Sequence, residues 1–271
     1  MTGTIRYHIS VAYCFARLAI QRQLEYPLFL VSWFLMIPLQ YLSGVWVLKL
    51  MVDQFQPLAG WSFPQLAFLY GLGLLSHGLS VIFFIQTWHI DNMVVNGGFD
   101  RMLLRPMNVF FQFIANYINF IGFIDLIPGT LIFLYGCVQS GFEWSLWSAI
   151  QILMVVIGGM FIRASICTIM GSAAFWTKRS GSLINLTLAT MERTTMYPLT
   201  IYPRLVQWLL TFLLPIGFIS FYPATELIGQ DDGFTIPIGL AIWTPIIGVL
   251  MFVLAHLTFL FGLKRYESAG S

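Results

Sequence analysis

From Leu146 to Trp176 the chain holds a single charged side chain, Arg163. A helix of that length exceeds the roughly 20 residues needed to cross the hydrocarbon layer of a bilayer. Comparable apolar runs lie at about 27–49, 64–88, 111–137 and 236–262. A water-soluble fold could not cover its surface from what remains. Ordinary globular chains are roughly 25% charged, whereas this one is 9% charged, 58% hydrophobic and has a mean hydropathy of +0.82. A β-barrel would alternate inward and outward polarity in strands of about ten residues, but these runs are continuous. The sequence therefore predicts an all-α, polytopic membrane protein in a single domain, 1–271.

Residues 4–25, "TIRYHISVAYCFARLAIQRQLE", place Ile5, Ile9, Tyr13 and Ala16 on one helical face, while Arg6, Arg17 and Arg22 stay near water. This pattern predicts a helix lying in the membrane interface, its cations toward anionic headgroups. No cleavable leader is expected. Between 180 and 228 a moderately apolar stretch precedes a strongly apolar one, and the fifth span is either 180–199 or 205–222. If the two stretches together cross once, there are six spans.

The positive-inside rule orients them. With the N-terminus cytoplasmic, Arg6, Arg17, Arg22, Arg101, Arg105, Lys178, Arg179, Lys264 and Arg265 all fall inside. Asp53, Glu143, Glu226, Asp231 and Asp232 fall outside. Both termini are thus expected on the cytoplasmic side of a plasma (inner) membrane.

One cytoplasmic stretch is unusually polar: "NGGFDRMLLRPMN", between the second and third spans. Gly97–Gly98 offers a hinge, Asp100 can cap a short helix, and Pro106 ends it. Met102, Leu103 and Leu104 give it an apolar side, and Arg101 and Arg105 lie four residues apart. The result is a compact knob suited to a partner's groove.

This stretch resembles the Gly-x-[Leu/Phe]-Asp-x-x-Leu-Leu-Arg-Pro element of ABC-2 type permeases, the membrane subunits of ATP-binding cassette exporters. "YPLTIYPRLVQWLLTFLLPIGFISFYPATELIG" resembles the proline-punctuated segment before the last span of the same permeases. The resemblance implies an interfacial helix, six transmembrane helices, a cytoplasmic coupling helix between spans 2 and 3, and a re-entrant helical hairpin before span 6. On this chain the coupling helix would be 91–106. Its ATPase-docking residues would be Asp91, Gly97, Gly98, Phe99, Asp100, Arg101, Leu103, Leu104, Arg105 and Pro106. The hairpin would be 203–227, marked by Pro203, Pro215, Pro223 and Glu226, and 180–199 would then be the fifth span.

The resemblance also implies ABC ATPase subunits as partners, with ATP and Mg²⁺ bound there and no cofactor on this chain. A second permease, identical or homologous, would complete the path among membrane lipids, and no nucleic acid is expected. The cargo would be exported, and an apolar, aromatic chain suits a lipid-like or amphipathic one.

The residues themselves offer little chemistry. No G-x-x-x-x-G-K-[ST] phosphate cradle occurs, and neither does G-x-S-x-G or H-E-x-x-H. Cys14, Cys137 and Cys167 have no metal spacing, and His77 and His256 stand alone in spans. Charges within a span cost roughly 2.5–3.5 kcal/mol each on insertion scales, so Asp125, Arg163, Glu192 and Arg193 need partners or a wet cavity. Counting the helical rise puts Asp125 and Arg163 at matching depth and predicts a direct contact, with Glu192 and Arg193 as competing partners. That contact reads as a structural lock or as part of a cargo path. An intramembrane enzyme using His89, Asp91, Asp125 or Glu192, and a proton-driven carrier using Asp125 and Glu192, are the other readings.

Overall fold

In lipid a backbone N–H or C=O without an internal partner costs several kcal/mol, so an apolar chain closes its hydrogen bonds as helix. The computed structural model describes residues 14, 17–19, 21, 24–54, 58–230 and 240–267, without the side chains of 240 and 241. The expected interfacial helix, 4–25, falls largely outside these residues, as do Asp231 and Asp232.

Helix α1, Pro27–Gln54, buries Ile37, Tyr41, Leu48 and Val52 along one face. Helix α2, Phe63–Phe84, starts at Ser62, whose N–H donates to Gln65 Oε1 at 2.9 Å. A tighter turn at Ile85–His89 leads into α3, Ile90–Val95. Two short helices follow, α4 (Asp100–Leu103) and α5 (Val109–Ala115), and then α6, Ile121–Gln139. The long α7, Leu146–Ser172, continues into α8, Ala174–Thr177. After it come α9 (Gly181–Met196), α10 (Arg204–Trp208), α11 (Phe221–Ile228) and α12 (Leu240–Leu263).

Among the described residues five stretches are long and apolar enough to cross a membrane: Pro27–Gln54, Phe63–Val95, Ile121–Gln139, Leu146–Thr177 and Ile242–Leu263. A sixth is present if Arg204–Leu213 and Ile216–Ile228, bent by 76°, count as one.

Two local expectations change. The third run is broken: α5 ends at Ala115 and α6 begins only at Ile121. Asparagine side chains compete with the helical ladder. Asn119 Oδ1 accepts the Ile121 N–H at 3.0 Å, and the Asn119 N–H donates to Ile82 O on α2 at 3.0 Å. The segment 91–106 is likewise not one helix but α3, a glycine turn and α4. Phe99, not Asp100, stands at the N-cap position of α4.

The centre of the bundle is α2 and α7, each with 72% of its apolar stretch buried, against 11% for α1. Helix α6 lies against α2 through glycines, as small residues permit in membranes. A Cβ on Gly71 would stand 2.5 Å from the Phe133 backbone, and one on Gly136 would overlap the Phe68 backbone. Helices α7 and α12 cross closely at Gly158 and Gly248. Hydroxyls inside α7 are satisfied by their own helix: Ser165, Thr168 and Ser172 donate to the carbonyls of Phe161, Ala164 and Thr168. Helices α2, α6, α7 and α12 thus form a locked core, while most of the α1 surface is left outside it.

Candidate functional site

The knob is built from a turn that only glycine takes easily. Gly97 sits at φ +66, in the left-handed region. The Gly98 N–H then donates to Met93 O at 2.8 Å, which ends α3. This reversal turns Phe99 inward, where it is fully buried. Its ring lies 5.8 Å from Phe113 of α5, 5.4 Å from Phe175 of α8, 5.7 Å from Phe259 of α12 and 5.7 Å from Tyr266. Such ring pairs add about 0.5–1.5 kcal/mol each beyond area burial. Gln112 Nε2 fastens the far side, donating to Met102 O at 3.1 Å and Met107 O at 3.0 Å.

Above this clamped base the tip is bare. Leu104 is 86% exposed and Leu103 49%, and Arg101, Arg105 and Pro106 are exposed beside them. Asp91 is not part of the tip. A Cβ on Gly181 would stand 2.7 Å from an Asp91 carboxylate oxygen, so this acid faces the start of α9. There it meets the positive end of the helix dipole.

Truncating the anchor should free the base. Phe99→Ala is expected to cost about 3 kcal/mol, the usual loss for a buried phenylalanine. Thermal unfolding in detergent measures it, and no change in melting temperature would contradict the clamp.

Tyr266 closes the cluster from the chain's end. Burial first, and then the neighbouring Asp100 carboxylate, pushes its phenol up to about 12 from the ordinary 10. A phenol whose folded-state pKa is raised stabilises the fold below about pH 10 and loses that contribution as pH rises through 12. Binding of the tail to the knob is therefore expected to weaken between pH 10 and 12. Phenolate absorbance and thermal unfolding follow it, and Tyr266→Phe should remove this component.

A second site lies among the helices. Helices α1, α2, α6, α7 and α9 line a cavity of about 500 Å³, and Asp125, Arg163, Glu192 and Arg193 all border it. The four charges are thus brought together, but not as a direct pair. Among the described residues Asp125 and Arg163 form no ion pair. Tyr41 Oη donates to Asp125 Oδ1 at 2.7 Å, and Arg163 Nη2 donates to His77 Nδ1 at 2.9 Å. Because a guanidinium can only donate, His77 must present its Nδ1 lone pair. The partners Tyr41 and His77 could not be found by counting depth, since that gives height along a helix and not which way a side chain turns. Of the two, His77 stands out in the sequence only as a lone histidine within a span. Tyr41 left no signal beyond lying one turn after Ile37.

The proline-marked stretch is bent at Pro215. Pro203 precedes α10, Pro215 sits at the 76° bend, and Pro223 lies buried in the first turn of α11. Thr211 Oγ1 and Tyr222 Oη, 2.7 Å apart, tie the two arms together. Gln230 Nε2 donates to Gly60 O at 2.7 Å, which puts the end of the stretch beside the α1–α2 loop. Glu226 is exposed near that end.

Long apolar helices, a clamped polar knob at one end and a charged cavity inside define an integral membrane protein of the helical, polytopic class. The family model "ABC-2 family transporter protein" matches residues 42–270, and the chain belongs to that family. It is a membrane permease of an ABC transporter, a family that works with ABC ATPase subunits and is not itself catalytic. No curated protein matches the chain. No solved structure matches it either.

Proposed function

We propose that this permease exports an amphipathic cargo across the inner membrane, driven by ATP hydrolysis on separate ATPase subunits that grip the tip of the knob. The observation that carries this reading is the contrast within 97–106: a fully buried Phe99 beneath an exposed Leu104 flanked by Arg101 and Arg105. Exposed arginines beside an apolar side chain suit a partner's surface, since arginine is enriched at interface hot spots. Phe99 would pass movement of the knob to the ends of α8 and α12, which it touches. Two arginines can also meet acidic groups on a motor subunit. ATP and Mg²⁺ belong to that subunit, and this chain binds neither.

In this reading residues 91–106 are the coupling element, facing the cytoplasm together with both termini. Helix α9 is the fifth span, its 16 residues extended by the turns at 197–203. The bent pair Arg204–Leu213 and Ile216–Ile228 is a re-entrant hairpin from the opposite side. The hydrogen bond from Gln230 to the α1–α2 loop supports it, because that loop lies at the other end of α2 from the knob. A second permease, identical or homologous, completes the path beside α1, most of whose face the locked core leaves uncovered.

Co-purification tests the reading. A P-loop ATPase should accompany the wild-type chain and drive cargo uptake into inverted vesicles. Uptake that persists without any ATPase would overturn it.

A further inference from the structure

The cavity holds an unsatisfied charge. Arg163 is 3% exposed and lines the cavity, and its Nη1 has no hydrogen-bond partner among the described residues. A buried donor left unpaired costs about 1–3 kcal/mol, more when charged, so this atom is suited to an acceptor that arrives with a ligand. The ligand cannot simply be an anion. Asp125 and Glu192 line the same walls as Arg163 and Arg193, so the formal charges already cancel. An added net charge would be buried uncompensated, which low-dielectric surroundings penalise heavily. A group bearing both signs keeps the balance. Trp33, Tyr41 and Tyr70 also face the cavity, and aromatic faces attract ammonium groups. An apolar groove of about 340 Å³ lies between α1 and α6, lined by Leu30, Phe34, Phe123 and Ile127.

We propose that the cavity binds the head of a zwitterionic amphiphile. The acidic group, phosphate or carboxylate, sits on Arg163 Nη1. The ammonium sits between the Asp125 carboxylate and the aromatic rings, and the chain lies in the α1–α6 groove. The inference rests on the transporter reading, since it names the chemical class of that permease's cargo.

The test uses the permease with its ATPase in nanodiscs of anionic phosphatidylglycerol, so that no host lipid competes. Without nucleotide, the discs are titrated calorimetrically with dodecylphosphocholine, a dodecyl carboxybetaine and dodecyl phosphate, each below its micellar concentration. Saturable binding above bilayer partitioning is expected for at least one zwitterion, at least about tenfold tighter than for dodecyl phosphate. Which zwitterion binds better tells phosphate from carboxylate. Arg163→Leu should weaken the zwitterion at least about tenfold, Arg163→Lys less, and Asp125→Asn should narrow the gap to dodecyl phosphate.

Absence of saturable binding, or equal binding of the anion and the zwitterions, overturns the proposal on wild-type protein alone, even if Arg163→Leu does not assemble. Unchanged affinity in an assembled Arg163→Leu does the same. Because nucleotide is left out, the outcomes separate. A chain that keeps its ATPase but binds no zwitterion loses only this inference, whereas a chain that binds zwitterion but holds no ATPase loses the ATP-driven reading.

Discussion

Replacing Arg101 and Arg105 together by glutamate is expected to strip the ATPase subunits from the permease while leaving the membrane helices folded. Both side chains are exposed, and neither takes part in the Phe99 cluster, so the fold has little to lose. Single hot-spot truncations cost about 2–4 kcal/mol, and reversing two charges adds repulsion to whatever acidic groups they meet. At about 1.4 kcal/mol per factor of ten, association should weaken at least about 100-fold, and ATP-driven uptake into inverted vesicles with it. Leu104→Asp should have a similar effect by placing a charge where the anchor was. Affinity capture of the ATPase at several salt concentrations reads the result, with unfolding temperature as the control for the fold. Undiminished capture with both arginines reversed would place the motor elsewhere on the chain.

A second large effect is expected inside the bundle. Gly136→Leu puts side-chain atoms where the Phe68 backbone already runs, and Gly71→Leu does the same against Phe133. Neither obstacle is a flexible side-chain tip that can swing aside, so α2 and α6 must separate along their length. Overpacking of a close-packed core costs about 1–3 kcal/mol and occasionally more; here the high end is expected, about 3 kcal/mol or above for either variant. Yield of folded protein in detergent and protease resistance measure it. Gly141→Ala, where nothing lies within 4 Å of the added carbon, controls for backbone strain, because Gly141 has φ +72 and no neighbour to displace. A Gly136→Leu protein as stable as wild type would contradict the tight α2–α6 contact.

The knob residues of the first prediction stand out in the sequence; Gly71 and Gly136 of the second do not. The knob was visible as a polar island among apolar runs, together with its Gly97–Gly98 turn, its exposed arginines and the stop at Pro106. Its base was not. Phe113, Phe175, Phe259 and Tyr266 come from different parts of the chain, and in a sequence with 25 phenylalanines none of them is distinguished until the helices are packed. Asp100 illustrates the reverse error. It has the chemistry of a cap, but the glycine turn places Phe99 at the cap and Asp100 beside Tyr266.

The four charges bordering the cavity divide along the same line. Cost alone requires that Asp125, Arg163, Glu192 and Arg193 find partners or a cavity, and depth counting put Asp125 beside Arg163. The cavity holds all four, yet the hydrogen bonds go to Tyr41 and His77. A span fixes height by its rise per residue; azimuth depends on which ridges and glycines set the neighbouring helix.

The sequence by itself determined the class, because hydrophobicity is a sum over residues and the solvent that suits it does not depend on how the helices pack. It also marked the turn at Gly97–Gly98, since paired glycines act on their own backbone, but not the break between Ala115 and Ile121. The tertiary structure alone decided which side chains meet: the aromatic clamp beneath the knob, the separate partners of Asp125 and Arg163, and the glycine seam that locks α2 to α6. Each is a contact between residues far apart in the chain, and only the mutual rotation of packed helices brings such residues together.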